Sequence, residues 1–524
     1  MTGIDLMRRR VLRGGVAAGT LFLPLPYASL WAQSEGALKL LRLPKVALLV
    51  GNGAYKAVPP LKNPANDARA MADALKASGF EVTIKLDASR EEMLAAMQAY
   101  AQTLGAKKCV GLFYFAGHGL QLAWRNYLVP MDAAIGGMDD VARQCVDVSS
   151  LVEGITKAAN PMNLIILDAC RENPFGRDFR EAQKGLSQMD APPATLLAYA
   201  TSPGNVASDG DGANGLYTEF LLKEIKVGEA KIEDVFKRVR LGVRRKSNGA
   251  QIPWESTSLE EDFYFIPPAQ LKKLSDDERE RLAREEQALW AKVKDAKEAG
   301  PLEDYLRRYP SGAFAELAQF RLDRLLASQG EKKIQIASSE GNPFTKGTVT
   351  TDIKYKIGDS YTYRQLDIFS RAEQAVVIRT VERVSEDEVH YSGGLITDLL
   401  GNVRRLADGR VLTDNQNVPA EFAVGKHWVT RYQVRLPQGG EVQSEVQWRV
   451  VARESITVPA GTFNTFRCEG QGHGRHPMGP MTIKFTNWYD PERMRLPIAR
   501  EELSRTAART LLASRFELVS FKQS

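Results

Sequence analysis

CVGLFYFAGHG, residues 109–119, opens as an unbroken apolar run and closes on two glycines around a histidine. Apolar residues in series, without polar alternation, mark a strand buried on both faces, as in the middle of a parallel sheet covered by helices. The spacing predicts a strand over 109–117 that stops at Gly117. His118 is the only histidine in the first 389 residues, and its glycine neighbours let the backbone bend and approach a substrate closely.

Working outward, VALLVG (46–51), FEVTIKL (80–86), NLIILDAC (163–170) and TLLAYAT (195–201) read as further strands. Helices are expected between them, over 66–77, after a capping box of Ser89 with Glu92, and after Ser150 with Glu153 at the same spacing. Continuous apolar strands alternating with helices predict an α/β domain over 45–267, with a mostly parallel sheet flanked by helices. In such sheets the chemistry sits at the C-terminal ends of the strands. His118 and Cys170 both fall there, 52 residues apart. A thiol beside an imidazole is an activated nucleophile, although a single buried cysteine is more often a small apolar residue and a single histidine a structural one.

The chain has 524 residues, too many for one ordinary core. Residues 274–328 read as a charged helical hairpin or single repeat-like unit, with a break at Pro310-Ser311-Gly312. From 347 to 524 the alternation in SYTYRQL, AVVIRTVERV, EVQSEVQWRVV and PMTIKFTNWY, with turns at LPQGG and PAGTF, predicts an all-β sandwich or barrel. His473 and His476 are read as belonging to a glycine-rich surface loop, and the ligand of this region is left open.

Seventy basic against 64 acidic side chains give +6 with no long basic block carrying interleaved aromatics, which argues against nucleic acid as a partner. Residues 1–32 carry Arg8, Arg9 and Arg10 ahead of an uncharged stretch interrupted by glycines and prolines. This is similar to a twin-arginine export signal, which places the protein in the periplasm or outside the cell; an uncleaved membrane anchor is the other reading. No stable membrane span is expected after cleavage. Four scattered cysteines exclude a disulfide scaffold and a zinc site, leaving room for one structural disulfide. No metal and no cofactor are expected: GNGAY (51–55) lacks the spaced glycines of a phosphate loop, and SDGDGANG departs from a calcium loop at Ala213-Asn214.

YFAGHG followed by LIILDACRENPF resembles the caspase-fold cysteine peptidases, and their bacterial metacaspase-like branch more than the animal enzymes. LKNPANDARAMADALKASGFEV and LLAYATSPGNVASDGDGANGLYTEFLL extend the resemblance over roughly 45–265. It implies a cysteine endopeptidase acting on protein or peptide substrates, with His118 as general base and acid, Cys170 as nucleophile, and the backbone N–H groups of Gly119 and Cys170 as the oxyanion site. Animal caspases have Gln-Ala-Cys where this chain has Asp168-Ala169-Cys170. The resemblance gives Asp168 the role of binding a substrate Arg or Lys, with a structural carboxylate as the other reading. Asp209 and Asp211 would add charge to that pocket or belong to a solvated turn. Arg177, Arg180 and Lys184 lie where related enzymes are cut on activation, or in a plain exposed loop. The rival to the enzyme is a catalytically silent adaptor with the same fold.

Overall fold

The computed structural model describes residues 36–170, 185–210, 212–268, 275–331, 337–350, 354–494 and 496–523, with backbone alone at Cys170 and Asp276. The export-like segment 1–32, Asp211, Arg177, Arg180 and Lys184 lie outside the described residues.

In chain order the first region runs α1 (36–42), β1 (Lys45–Gly51), α2 (Pro64–Ala77), β2 (Glu81–Leu86), α3 (Arg90–Lys107), β3 (Val110–Leu122), β4 (Arg125–Leu128), α4 (Met138–Gln144), β5 (Val146–Asp147), α5 (Val148–Ala158), β6 (Met162–Cys170), β7 (Thr195–Tyr199), α6 (Leu216–Ile225), α7 (Ile232–Lys246) and β8 (Trp254–Thr257). The sheet order is β2-β1-β3-β6-β7-β8, parallel from β2 to β7 with β8 antiparallel at the edge. Helices cover both faces. On one, Gly111 of β3 backs onto Tyr100 and Leu104 of α3, which packs on α5; on the other, Tyr114 bonds to Thr218 of α6, which packs on α2 and α7. Residues 110–121 of β3 are buried without a break, as a central parallel strand requires.

Two local expectations are corrected. β3 does not stop at Gly117: it runs on to Leu122 and turns back through Ala123 and Trp124, both at positive φ, into β4. That two-residue turn is built without Gly or Asn, so its sequence carries none of the usual hairpin signals. α5 begins at Val148, before Ser150, because Asp147 caps it by accepting the Ser149 N–H at 2.8 Å. The box of Ser89 and Glu92 does cap α3.

The charged stretch holds three helices, α8 (Asp276–Val293), α9 (Ala299–Arg308) and α10 (Ala315–Ser328). Buried Trp290 stacks on Phe314 and tilts against Tyr305, with ring centroids 5.5 Å apart in each pair, so one indole draws all three together.

The remaining strands are β9 (Thr348–Thr350), β10 (Ser360–Asp367), β11 (Glu373–Val384), β12 (Glu388–Tyr391), β13 (Ile396–Asp398), β14 (Val403–Arg405), β15 (Val411–Leu412), β16 (Glu421–Ala423), β17 (His427–Arg435), β18 (Glu441–Val458), β19 (Gly461–His476), β20 (Gly479–Tyr489), β21 (Ala499–Thr506) and β22 (Thr510–Lys522). β9 pairs with β16; the other twelve close an antiparallel barrel in which β22 returns to β10. The open choice between sandwich and barrel thus resolves to a barrel.

His473 and His476 stand in β19, paired to β18 and β20, and not in a loop. Glycine is required there for packing: a Cβ at Gly470 would meet the Trp448 indole at 3.0 Å, and one at Gly472 the Glu445 carbonyl at 2.2 Å. The barrel is tied by polar contacts to the helical stretch, through Lys426 and Glu316 of α10 at 2.8 Å, and to the first region, through His427 and Glu233 of α7 at 2.9 Å. Cys109, Cys145 and Cys468 are buried and free.

Candidate active site

Val50, Phe115, Leu167 and Tyr199 lie in one row across the four central strands. Everything with chemical interest stands just beyond that row. Ala116 is opposite Asp168, but the next pair is Gly119 opposite Cys170, so β3 spends three residues where β6 spends two. This is a β-bulge, a device that re-aims a side chain at a strand end. It lifts His118 out of alternation and brings its strand beside the end of β6.

The flanking glycines answer to sterics. At Gly117, with φ +155°, a Cβ would lie 2.6 Å from the Tyr55 hydroxyl and 3.1 Å from the Asn52 carbonyl. At Gly119 it would lie 2.5 Å from the Ala169 carbonyl, on the residue before Cys170. Both approaches are closer than any side chain tolerates.

His118 is held from three directions. Its N–H donates to Tyr55 Oη at 2.8 Å, its carbonyl accepts from Val129 N at 3.0 Å, and its Nε2 lies 3.0 Å from the Pro59 carbonyl oxygen. The Tyr55 ring packs against the imidazole at 4.7 Å between centroids. A carbonyl only accepts, so Nε2 carries the hydrogen and Nδ1 is the basic nitrogen of the neutral ring. The GNGAY stretch supplies this support: Asn52 donates to the carbonyls of Ala88 and Val129 and accepts the Ala88 N–H, while Tyr55 also donates to Val129.

Asp168, buried at the end of β6, accepts from Thr218 Oγ1 at 3.0 Å. Thr218 in turn lies 2.6 Å from Tyr114 Oη, giving a relay from phenol to hydroxyl to carboxylate. A second carboxylate, absent from the sequence reading, faces the same space. Asp67, in the first turn of α2, is fully buried and accepts from Asn214 Nδ2 and Gly215 N, each at 2.9 Å. Its Oδ2 is buried with no hydrogen-bond partner. A Cβ on Gly215 would stand 3.1 Å from that oxygen and 3.6 Å from Asp168 Oδ2, so the two acids converge where α6 begins. Burial first, then the Asp168 charge, raises the Asp67 carboxyl to about 7 against the pull of its two hydrogen bonds; Asp209 adds to the rise. Asp209 is fixed from the side by the Lys62 N–H at 3.0 Å.

The structure therefore brings together His118, Gly119, the backbone of Cys170, Asp168 and Asp209. The Cys170 side chain and Asp211 lie outside the described residues. Asp67 escaped notice because an Asp inside a first helical turn looks like an ordinary helix-dipole residue; its position in KNPANDARA just after a loop that supports the histidine was the available signal. Among the described residues no group of three or more His, Cys, Asp and Glu is arranged to hold a metal ion.

Residues 44–264 match the family model described as the caspase domain, peptidase C14, and that part of the chain is a caspase domain. Over 260 residues the chain is 28% identical to mucosa-associated lymphoid tissue lymphoma translocation protein 1 of Homo sapiens and, equally, to its homolog in Mus musculus. The matched segment covers 49% of this chain and 30% of each relative, so this chain spans less than a third of either curated protein.

Proposed function

We propose that this protein is a cysteine endopeptidase that cleaves after Arg or Lys. In the reaction His118 Nδ1 takes the Cys170 thiol proton, and the thiolate attacks the scissile carbonyl. The N–H groups of Gly119 and Cys170 hold the oxyanion, a contribution of about 3–4 kcal/mol per donor. His118 returns the proton to the leaving amine, a thioester remains on Cys170, and water activated by the same imidazole hydrolyses it to the acid. Oxidants and cofactors play no part in this balance.

The observation that carries the specificity is the paired carboxylate seat at Gly215, with Asp67 and Asp168 converging and Asp209 adjoining. Two buried like charges repel, and a guanidinium or ammonium between them reverses the sign of that interaction. An acidic substrate side chain meets the opposite condition.

The test is hydrolysis of fluorogenic peptides ending in Arg, Lys or Asp by the purified protein, by its Cys170→Ala variant and by its Asp168→Asn variant. The expected result is cleavage after Arg and Lys, lost with Cys170→Ala and strongly reduced with Asp168→Asn. Cleavage after Asp contradicts the pocket, and cleavage of no peptide moves the weight to a silent adaptor. Export by the twin-arginine route is proposed on residues 1–32 alone; replacing Arg8 and Arg9 by Lys is expected to abolish secretion, and unchanged secretion contradicts it.

A further inference from the structure

Residues 337–350 follow the three-helix stretch and lie outside the caspase domain in sequence, yet they are bonded to that domain beside its active site. Ala337 N donates to the Pro203 carbonyl at 3.2 Å. Phe344 packs on the domain core, with Arg125 Cζ 5.5 Å from its ring centroid, and its carbonyl accepts the Asp190 N–H at 3.0 Å. Asp190 in turn accepts from Thr345 Oγ1 at 2.6 Å and from Lys346 N at 2.7 Å. At the far end Thr348–Thr350 form β9, which pairs with β16, and the Lys346 carbonyl accepts from Arg453 of β18 at 2.9 Å. The segment is a strap, held by the caspase domain at one end and beside the barrel at the other.

Asn342 joins the strap to residues 187–190. It is buried, its Nδ2 donates to Ser187 Oγ at 3.0 Å and to the Gln188 carbonyl at 2.8 Å, and its Oδ1 accepts the Phe344 N–H at 2.9 Å. Gln188, also buried, donates from Nε2 to Thr348 Oγ1 at 2.7 Å. A buried amide that satisfies groups in two segments fixes one against the other, because moving either leaves polar groups unpaired.

The held residues reach the site directly. Ser187 exchanges two hydrogen bonds with the Asn126 side chain of β4: its N–H donates to Oδ1 at 2.6 Å, and its carbonyl accepts from Nδ2 at 2.9 Å. Asn126 is opposite Gln121, and Leu128 opposite Gly119, so this pair secures the extension of β3 just past His118. Leu186, fully buried, packs against Gly119: a Cβ there would meet Leu186 Cδ2 at 3.2 Å as well as the Ala169 carbonyl of β6. Glycine has the freest backbone of any residue, so the direction of its N–H is set by such neighbours.

We propose that Asn342 is a positioning residue of the peptidase site: through Gln188, Ser187 and Leu186 it fixes the Gly119 backbone. Its effect on rate rests on the cysteine-peptidase reading, in which the Gly119 N–H receives the oxyanion. Thiolate formation involves His118 and Cys170 alone, so loss of the strap's grip lowers kcat and spares the reactivity of the thiol.

The experiment compares the full chain with three variants. Asn342→Asp keeps the shape and the acceptor but loses both donated bonds, Thr348→Val removes the bond from Gln188, and Lys346→Ala leaves the backbone donor to Asp190 in place. Three quantities are read: kcat and KM for an Arg peptide, the rate of Cys170 alkylation by iodoacetamide, and amide hydrogen exchange over 119–128 and 185–190. Asn342→Asp is expected to lower kcat about tenfold to a hundredfold, the scale of a small misplacement at a reacting centre. KM and alkylation should stay within about twofold, and exchange should quicken about tenfold or more in both segments. Thr348→Val is expected to repeat this pattern at about threefold, and decides the matter if Asn342→Asp does not fold; Lys346→Ala is expected to change nothing. An unchanged kcat, a loss confined to KM, alkylation slowed in step with kcat, exchange quickened only within 337–350, or an equal loss in Lys346→Ala overturns the inference. If the parent cleaves no Arg peptide, the proposed function falls, and the exchange pattern alone decides whether the strap holds Gly119.

Discussion

In the caspase-domain sheet His118, Asp168 and the backbone of Cys170 stand at the C-terminal ends of strands, while Asp67 and Asp209 come from the first helical turn or the loop beyond such an end. In the barrel, inward polar groups such as Asn487 of β20 and Arg500 and Glu502 of β21 stand within strands of alternating sequence. A parallel sheet gathers its chemistry at one edge, so a motif of a few residues announces it. A closed barrel draws its inward groups from strands far apart in sequence, and only closure reveals the set.

The largest effect that sharpens this contrast is expected from His118→Ala, which removes the base while leaving the bulge glycines in place. It should lower kcat for an Arg peptide about 10²–10⁴-fold with little change in melting temperature; a loss below tenfold would detach the histidine from the chemistry. Next, Gly472→Ala places a methyl against the Glu445 carbonyl and the Val446 backbone. It should cost the barrel about 1–3 kcal/mol in denaturant unfolding and leave hydrolysis within twofold, and a larger drop in activity would show that the regions are not separable.

Gly215→Ala tests the acidic seat with one methyl group. The residue has φ −59°, which alanine adopts freely, yet its Cβ intrudes between Asp67 and Asp168. KM for Arg peptides is expected to rise about tenfold, equivalent to roughly 1.4 kcal/mol, with the Cys170 alkylation rate unchanged. An unchanged KM removes the seat from specificity.

The smallest effect concerns Asp67. The folded chain keeps its proton up to about pH 7, whereas the unfolded chain releases it near the ordinary aspartate value of 3.8. The folded state therefore binds more protons over that interval, and stability falls as pH rises from about 4 to about 7 and then levels. Asp67→Asn should melt about 5 °C above the parent at pH 8, at roughly 2–4 °C per kcal/mol for a domain of this size, and with it below pH 4. A constant difference across pH would remove titration of Asp67 as the cause.

The apolar runs at 109–117 and 163–170 made the parallel sheet legible, because both faces of those strands are buried and the only polar residues in the second run, Asn163 and Asp168, stand toward its ends. His118 and Cys170 followed from the strand ends. The continuation of β3 did not, since the turn at Ala123-Trp124 uses residues with no turn preference and the bulge exists only as a mismatch with β6. Asp67 was hidden for a related reason: its partner Asp168 is 101 residues away and meets it only when α2 and α6 pack together. In the barrel the alternation gave strands, while the glycines of β19 imitated a loop because Trp448 fills the space their side chains would occupy.

The most direct test of the central claim is covalent capture. The purified chain is treated with a peptidyl chloromethyl ketone ending in Arg and, separately, with one ending in Asp, and the alkylated residue is located by peptide mass mapping. The account predicts that the thiolate of Cys170 displaces chloride from the Arg reagent alone, and that His118→Ala is not labelled. Labelling of Cys170 by the Asp reagent in preference, or no labelling of Cys170 by either, would contradict it.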